Sequence, residues 1–353
     1  MHTMVLCTKL WGIGMAVYDG SVKEDKLRPM LRDTRVKDVP GFLPFLSFCF
    51  CNFGCISGPF LEFRHFQEFM ELKGFYADMP VGPKDGWATF MPSLLRLGGM
   101  YISAALYLGS EIAGLDPKFL GSAEFLTYKT LLHRIGIMAV WAIYHRLFFY
   151  VNWCMVDACL ISCGISYNGK DENGEVQWDR LIGVRIMKCE FASSGVEYMH
   201  NWNISVNNWL LRYVHIRWVD DPNIKQGFDH AMATAVVSSV WHGFYISYPS
   251  AFIQAAIVTE CSREIYRSRA AFDWMNPTIR AFGAWFLTML AFAYIGCAFR
   301  ILLLENHMNF NAATGYVFTL GVPVLCALLK FLQLGRKKKT DVKEIKQDKK
   351  KSD

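Results

Sequence analysis

Read for apolar and polar positions, the chain divides into long apolar runs separated by short charged stretches. The longest run almost free of charge is Ala231–Val258, with Trp241, His242 and Gly243 near its middle. About 20 apolar residues in a helix cross the hydrocarbon core of a bilayer, so this run predicts a spanning helix. The same criterion predicts spans at Leu94–Leu115, Pro277–Leu304 and Tyr316–Leu334. Leu131–Ile165 is long enough for a tilted helix followed by a second segment. Gly41–Phe60 is apolar and aromatic but is interrupted by Gly54, Gly58 and Pro59, which predicts an irregular or re-entrant element. Met1–Gly20 is mildly apolar and ends in a turn signal, Tyr18-Asp19-Gly20.

The polar stretches complete the order. Ser21–Pro40 is a basic loop on the membrane face, and Ser166–His200 is the main polar insert, with turns at Gly169, Asn173 and Gly174. Glu197–Trp218 spreads Trp202, Trp209, Tyr213 and Trp218 along one segment, the pattern of a helix at headgroup level. The small residues Gly98, Gly99, Ser103, Ala104 and Ala105 mark a close helix–helix contact. Together these predict an all-α, polytopic bundle.

Composition sharpens this. The chain is 53% hydrophobic and only 19% charged, below the roughly 25% charged of soluble domains. Of the net charge of +6, a surplus of five basic groups lies in Arg336–Asp353, a tail that directly follows an apolar segment. A basic face for nucleic acid is therefore excluded, and the tail reads as cytosolic by the positive-inside rule. Residues 1–335 form one multi-pass unit and 336–353 a basic cytosolic tail. Met1–Ala16 has no basic segment followed by a small-residue cleavage site, so insertion is expected to use the first hydrophobic helix. The eleven Cys match no zinc spacing and read as small buried apolar residues.

Candidate chemistry is sparse. There is no nucleophile elbow, Walker loop, dinucleotide fingerprint or HExxH. What stands out is His242, an ionisable group in an apolar helix, which a backbone carbonyl could satisfy or a reaction could use. Upstream lies a second polar cluster, Trp202-Asn203-Ile204-Ser205-Val206-Asn207-Asn208-Trp209. Five further ionisable groups, His133, Arg134, His145, Arg146 and Asp157, sit in Leu131–Ile165 and call for a wet, protein-lined interior or a break at the membrane interface.

Trp202-Asn203-Ile204, continued by Trp209-Leu210-Leu211-Arg212-Tyr213-Val214 and then by Ser239-Val240-Trp241-His242-Gly243-Phe244-Tyr245, resembles the membrane-bound O-acyltransferase family. The lysophospholipid acyltransferase branch is the most similar. Met4-Val5-Leu6, Lys9-Leu10, Tyr18-Asp19-Gly20, Gly58-Pro59, Tyr167-Asn168-Gly169 and Trp178-Asp179 fit it in order. So do Arg146, Tyr150, Trp153 and Asp157, at spacings of four, three and four.

The resemblance implies a helical bundle enclosing a catalytic tunnel. Acyl-coenzyme A, the co-substrate, would enter from the cytosol, and a lysophospholipid from the bilayer. It makes His242 the catalytic residue and Asn203 its companion, with Asn207 and Asn208 as neighbouring candidates. Histidine, with an ordinary pKa of about 6.5, suits a general base for esterifying a glycerol hydroxyl. An Asn amide suits an oxyanion donor. No cofactor, metal or covalent acyl-enzyme is required. Arg146 and Asp157 either meet coenzyme A phosphates or pair inside the bundle. Trp178 and Asp179 either contact substrate or anchor a loop. Trp241 and Tyr245 flank the histidine as candidate substrate contacts, though Tyr245 reads first as a packing or interface-belt residue.

Three departures stand out. Relatives continue past the Trp-His-Gly block as Tyr-Pro-Gly-Tyr, where this chain has Tyr245-Ile246-Ser247-Tyr248-Pro249, so the helix is expected to bend elsewhere. Phe148 and Phe149 stand where a Lys-Tyr pair is expected. The family has several membrane helices before its Tyr-Asp-Gly element, so the chain is expected to be N-terminally short. Another acceptor (a neutral lipid or a protein) and a non-catalytic remnant are the alternative expectations. Lys350-Lys351-Ser352-Asp353 resembles a dilysine retrieval signal, which implies the endoplasmic reticulum membrane.

Overall fold

A computed structural model describes residues 2–51, 59–80, 86–112, 117–218, 223–224 and 227–332. Gly54, Gly58 and the tail with its Lys350–Asp353 pattern lie outside the described residues. Among the described residues the chain is helical, with no strand and one isolated bridge between Lys170 and Val176.

The backbone of the bundle is one continuous helix, Leu131–Ser162. It does not split into two segments, because no Gly or Pro interrupts it after Gly136. Its 32 residues reach about 48 Å, well beyond a hydrocarbon core. One stripe is buried: Met138, Trp141, His145, Trp153, Asp157 and Leu160 recur at helical spacing. Gly86–Ile112 packs along it. Gly99 permits that approach, since a Cβ there would stand 3.4 Å from Cys154 Sγ. Pro277–Arg300 packs on the same helix; Pro277 opens it, and the Asn276 side chain accepts the Thr278 N–H at 2.9 Å. Leu131–Ser162 and Pro277–Arg300 are long and apolar enough to cross a membrane.

One expected span is broken. Ala231–Val258 is not a single helix: Phe228–His242 ends on His242, and Ser247–Arg267 begins after four intervening residues. Gly243 sits at φ 121°, a conformation closed to L side chains. Pro249 then falls in the first turn of the new helix, where its missing N–H costs nothing. Continuing the first helix would have set that ring against the carbonyl of Tyr245. The C-terminal span expected at Tyr316–Leu334 is helical over the described residues 317–332, and a bend precedes it. Leu304–Ala313 and 317–332 meet at 81°, after a turn with Gly315 and Tyr316 in the left-handed region. The expected interfacial helix over 197–218 is three pieces: Gly195–Asn201, Ile204–Tyr213 and the short turn His215–Trp218.

The N-terminal helix His2–Ser21 braces this third region. Trp209 Nε1 donates to the Thr8 carbonyl at 3.2 Å, and Arg217 forks onto buried Asp19 at 2.6 and 2.7 Å. Glu62 is held by Arg212 and Tyr213. The Tyr18-Asp19-Gly20 element is thus a structural anchor, and a side chain on Gly20 would collide with the Val36 carbonyl.

Candidate active site

His242 is the last residue of Phe228–His242, half-buried where the chain breaks. Its Nδ1 lies 2.8 Å from the Ser238 carbonyl oxygen, one turn back. A carbonyl only accepts, so Nδ1 carries the proton and Nε2 holds the free lone pair. The ring is enclosed by Phe252, Phe299 and Tyr248, at centroid distances of 4.8, 5.4 and 5.8 Å. The carbonyl that could have merely satisfied the imidazole instead sets its tautomer.

Asn203 joins Gly195–Asn201 to Ile204–Tyr213 and sits at φ 46°, ψ 52°. Asparagine tolerates this left-handed conformation better than other L residues with a Cβ. Its side chain makes no hydrogen bond among the described residues. Asn207, one turn on, spends its amide on the carbonyls of Met199 and Trp202. Asn208 is exposed and outside the cavity. Of the three asparagines, only Asn203 brings a free amide to the interior.

The Asn203 turn is pinned from behind. Asp157, 1% exposed on the long helix, accepts the Gly183 N–H at 3.0 Å, and Gly183 O accepts the Ile204 N–H at 2.9 Å. Gly183 lies flat on Trp153, where a Cβ would stand 2.6 Å from the ring.

These elements enclose a cavity of about 170 Å³ that His242, Asn203, Asn207, Arg146, His145 and Ser238 line together. Its remaining wall is largely aromatic: Phe149, Trp153, Tyr198, Trp202, Phe252, Phe292 and Phe299. Trp202 is the hinge of that wall, edge-on to Trp153 at 4.9 Å and stacked on Tyr198 at 5.5 Å.

The other sequence candidates sit elsewhere or are already engaged. Arg146 reaches the cavity wall, but it forks onto Glu190 with two 2.7 Å bonds, and Tyr150 donates to the same carboxylate. Arg146 and Asp157 therefore pair inside the bundle, with different partners. Trp178 is buried against Tyr167 beside a separate shallow groove. Asp179 accepts from Asn168 at 2.7 Å and Arg185 at 3.1 Å. Burial pushes the Asp179 carboxyl up, but those two donors outweigh it and hold the group below the usual carboxylate range. Trp241 turns away from the cavity onto Trp209, 4.5 Å between rings. Tyr245 is about half exposed in the break and does not line the cavity. Glu190 and Ser238 had no motif to mark them; His145 was marked only as one of several ionisable groups.

Comparison with known proteins bears on the family of the chain. Over residues 1–304 the chain matches the membrane-bound O-acyltransferase family. It is 29% identical over 336 residues to lysophospholipid acyltransferase 1 of Arabidopsis thaliana, covering 93% of this chain and 71% of that protein. It is 28% identical over 318 residues to the lysophospholipid acyltransferase of Schizosaccharomyces pombe, covering 87% of this chain and 61% of the relative. Against membrane-bound glycerophospholipid O-acyltransferase 2 of Mus musculus the identity is 25% over 352 residues, 95% of this chain and 64% of that protein. The protein is a membrane-embedded helical bundle, and it belongs to the membrane-bound O-acyltransferase family.

Proposed function

We propose that this protein is an acyl-coenzyme A-dependent lysophospholipid O-acyltransferase with His242 as general base. The observation that carries the reading is the pairing, in one cavity, of an imidazole whose Nε2 lone pair is free with an Asn amide that has no other partner. The names of its relatives support lysophospholipid as the acceptor.

The chemistry follows from those two groups. The free glycerol hydroxyl attacks the thioester carbonyl while Nε2 of His242 takes its proton. Charge gathers on the former carbonyl oxygen, and the Asn203 amide donates to it. The C–S bond then breaks, the proton passes from His242 to the leaving sulfur, and the products are the phospholipid ester and free coenzyme A. His242 returns to its starting tautomer, held throughout by Ser238. The aromatic wall excludes water, which would otherwise compete as acceptor. Residence in the endoplasmic reticulum with a cytosolic tail is part of the proposal and rests on the Lys350–Asp353 pattern and the basic tail.

The test is to express the chain in microsomes lacking endogenous activity and supply labelled oleoyl-coenzyme A with a panel of lysophospholipids. Wild-type protein should incorporate label, and His242→Ala should reduce incorporation about 10²- to 10⁴-fold. Undiminished incorporation by the variant would sink the mechanism. Label appearing only in a neutral lipid or a protein would replace the acceptor. A folded wild-type protein that labels no acceptor would leave a non-catalytic remnant.

A further inference from the structure

His145 lines the same cavity from the opposite helix, Leu131–Ser162, and nothing above uses it. Its residue is 6% exposed. The ring lies flat on Trp141, 5.3 Å between centroids at 18°, and meets the edge of Phe149 at 5.2 Å and 83°. These contacts fix the plane of the imidazole. Yet neither ring nitrogen has a hydrogen-bond partner among the described residues, and Nε2 is a buried polar atom left unsatisfied. Arg146, next in sequence, differs in being paired: Glu190 accepts from its Nε and its Nη2. A buried imidazole without a partner costs free energy that an apolar ring in the same space would not. Its placement makes sense when a polar group enters the cavity.

The cavity limits what that group can be. The wall is largely aromatic, and Arg146, the one cation that lines it among the described residues, is paired with Glu190, so a phosphate would lose its water with no unpaired positive charge on the wall to meet it. An uncharged acceptor such as a carbonyl oxygen fits, because a neutral imidazole always has one N–H to donate. We infer that His145 contacts substrate directly, donating a hydrogen bond to an acyl carbonyl oxygen in the cavity. This rests on the acyl-transfer reading above. Two carbonyls have that chemistry: the thioester carbonyl that reacts, and the ester carbonyl that a 1-acyl lysophospholipid already carries.

The experiment uses three forms of the full chain: wild type, His145→Phe, which keeps the stack on Trp141 and loses both nitrogens, and His145→Gln, which restores a donor. Each is first required to elute from detergent as a single symmetrical species. Each is then assayed with oleoyl-coenzyme A and either a 1-acyl lysophospholipid or its 1-O-alkyl ether analogue. If His145 holds the thioester, His145→Phe lowers kcat about 10- to 100-fold with both acceptors, at little change in acceptor KM. If it holds the existing ester, His145→Phe raises KM for the 1-acyl acceptor alone and brings it to the value of the ether. In either case His145→Gln recovers part of the loss. His145→Phe within twofold of wild type in kcat and KM for both acceptors would overturn the inference. So would equal losses in His145→Phe and His145→Gln, the mark of a packing role. A wild-type protein that acylates neither acceptor removes the acyl-transfer reading itself, and this inference with it.

Discussion

The cavity at His242 and the groove beside Trp178 both gather residues that stand out in the sequence, but their polar atoms differ in what they have left to offer. In the groove, of about 430 Å³, Asp179 is committed to Asn168 and Arg185, and Trp178 is packed on Tyr167. In the cavity, His242 uses one nitrogen and keeps the other, and Asn203 keeps its whole amide. Ser238 Oγ and His145 Nε2 are buried there without partners among the described residues. Folding ordinarily satisfies buried polar groups, and while single atoms without a hydrogen-bond partner among the described residues, such as Asp157 Oδ2 and Gln254 Oε1, are scattered through the bundle, several such groups lining one cavity mark where a substrate completes the structure. The groove residues instead tie the 166–185 insert together. Arg146 shows that the distinction is chemical rather than positional, for it lines the cavity and its charge is nonetheless paired with Glu190 through Nε and Nη2.

The strongest test of this contrast compares Asn203 with Asn207. Asn203→Gly deletes the amide without strain, because glycine adopts φ 46° freely. It should leave the fold intact and lower kcat about 10²- to 10³-fold, the usual loss for one oxyanion donor. Asn207→Ala removes the bonds to Met199 and Trp202 and should act on stability, lowering the unfolding midpoint in detergent more than it lowers kcat. If the two variants exchanged behaviour, Asn207 would be the reacting amide and the reading of spent and unspent groups would fail.

A smaller effect is expected at Gly183, which belongs to neither site and supports Asn203. A Cβ there meets Trp153 Cγ and Cδ1 at 2.6 Å and Trp153 Cβ at 3.0 Å, so the strand of chain bearing it must move. That breaks the relay from Asp157 through Gly183 to Ile204. Gly183→Ala should cost about 1–3 kcal/mol of stability and lower kcat by loosening the Asn203 turn. Gly136→Ala is the control: it stands in open space on the long helix and should be neutral or slightly stabilising in thermal unfolding. An unchanged kcat in Gly183→Ala would mean that the turn holds without this relay.

The sequence made some of this legible and not the rest, for physical reasons. Apolar run length identified Pro277–Arg300 and the apolar stretch that holds Leu131–Ser162, though not that the latter is one unbroken helix, since periodicity and length are local properties. His242 and Asn203 stood out because an ionisable group in an apolar run is costly and because their neighbours matched a family. The break after His242 was only half visible. Gly243 and Pro249 bracket it, yet hydropathy runs through Phe244–Ile246 without pause. The partners of Arg146 and Asp157 were out of reach, because Glu190 and Gly183 lie 44 and 26 residues away in a polar insert with no periodic pattern. Whether a polar side chain is spent depends on such distant partners. This is why Trp178-Asp179 and Trp202-Asn203 read alike as motifs and differ as structure.

The smallest predicted effect concerns Asp179 and probes the groove's side of the contrast. Its carboxyl is held below the usual range in the folded protein: burial opposes this, and the bonds from Asn168 and Arg185 prevail. A depressed folded value stabilises the protein above the unfolded pKa of about 3.9, and that stability disappears as pH falls through the folded value. The side chain is 38% exposed, so solvent screening keeps the contribution within about 1 kcal/mol. Asp179→Asn should therefore melt about 2 °C below wild type near pH 7, and the difference should close as pH is lowered past the carboxylate range. Acyl transfer at pH 7 should stay within about twofold of wild type, because the structural bonds are the residue's work. A folded Asp179→Asn protein that loses most of its turnover would place the groove with the cavity, and Trp178 and Asp179 would then have to contact substrate despite their paired atoms.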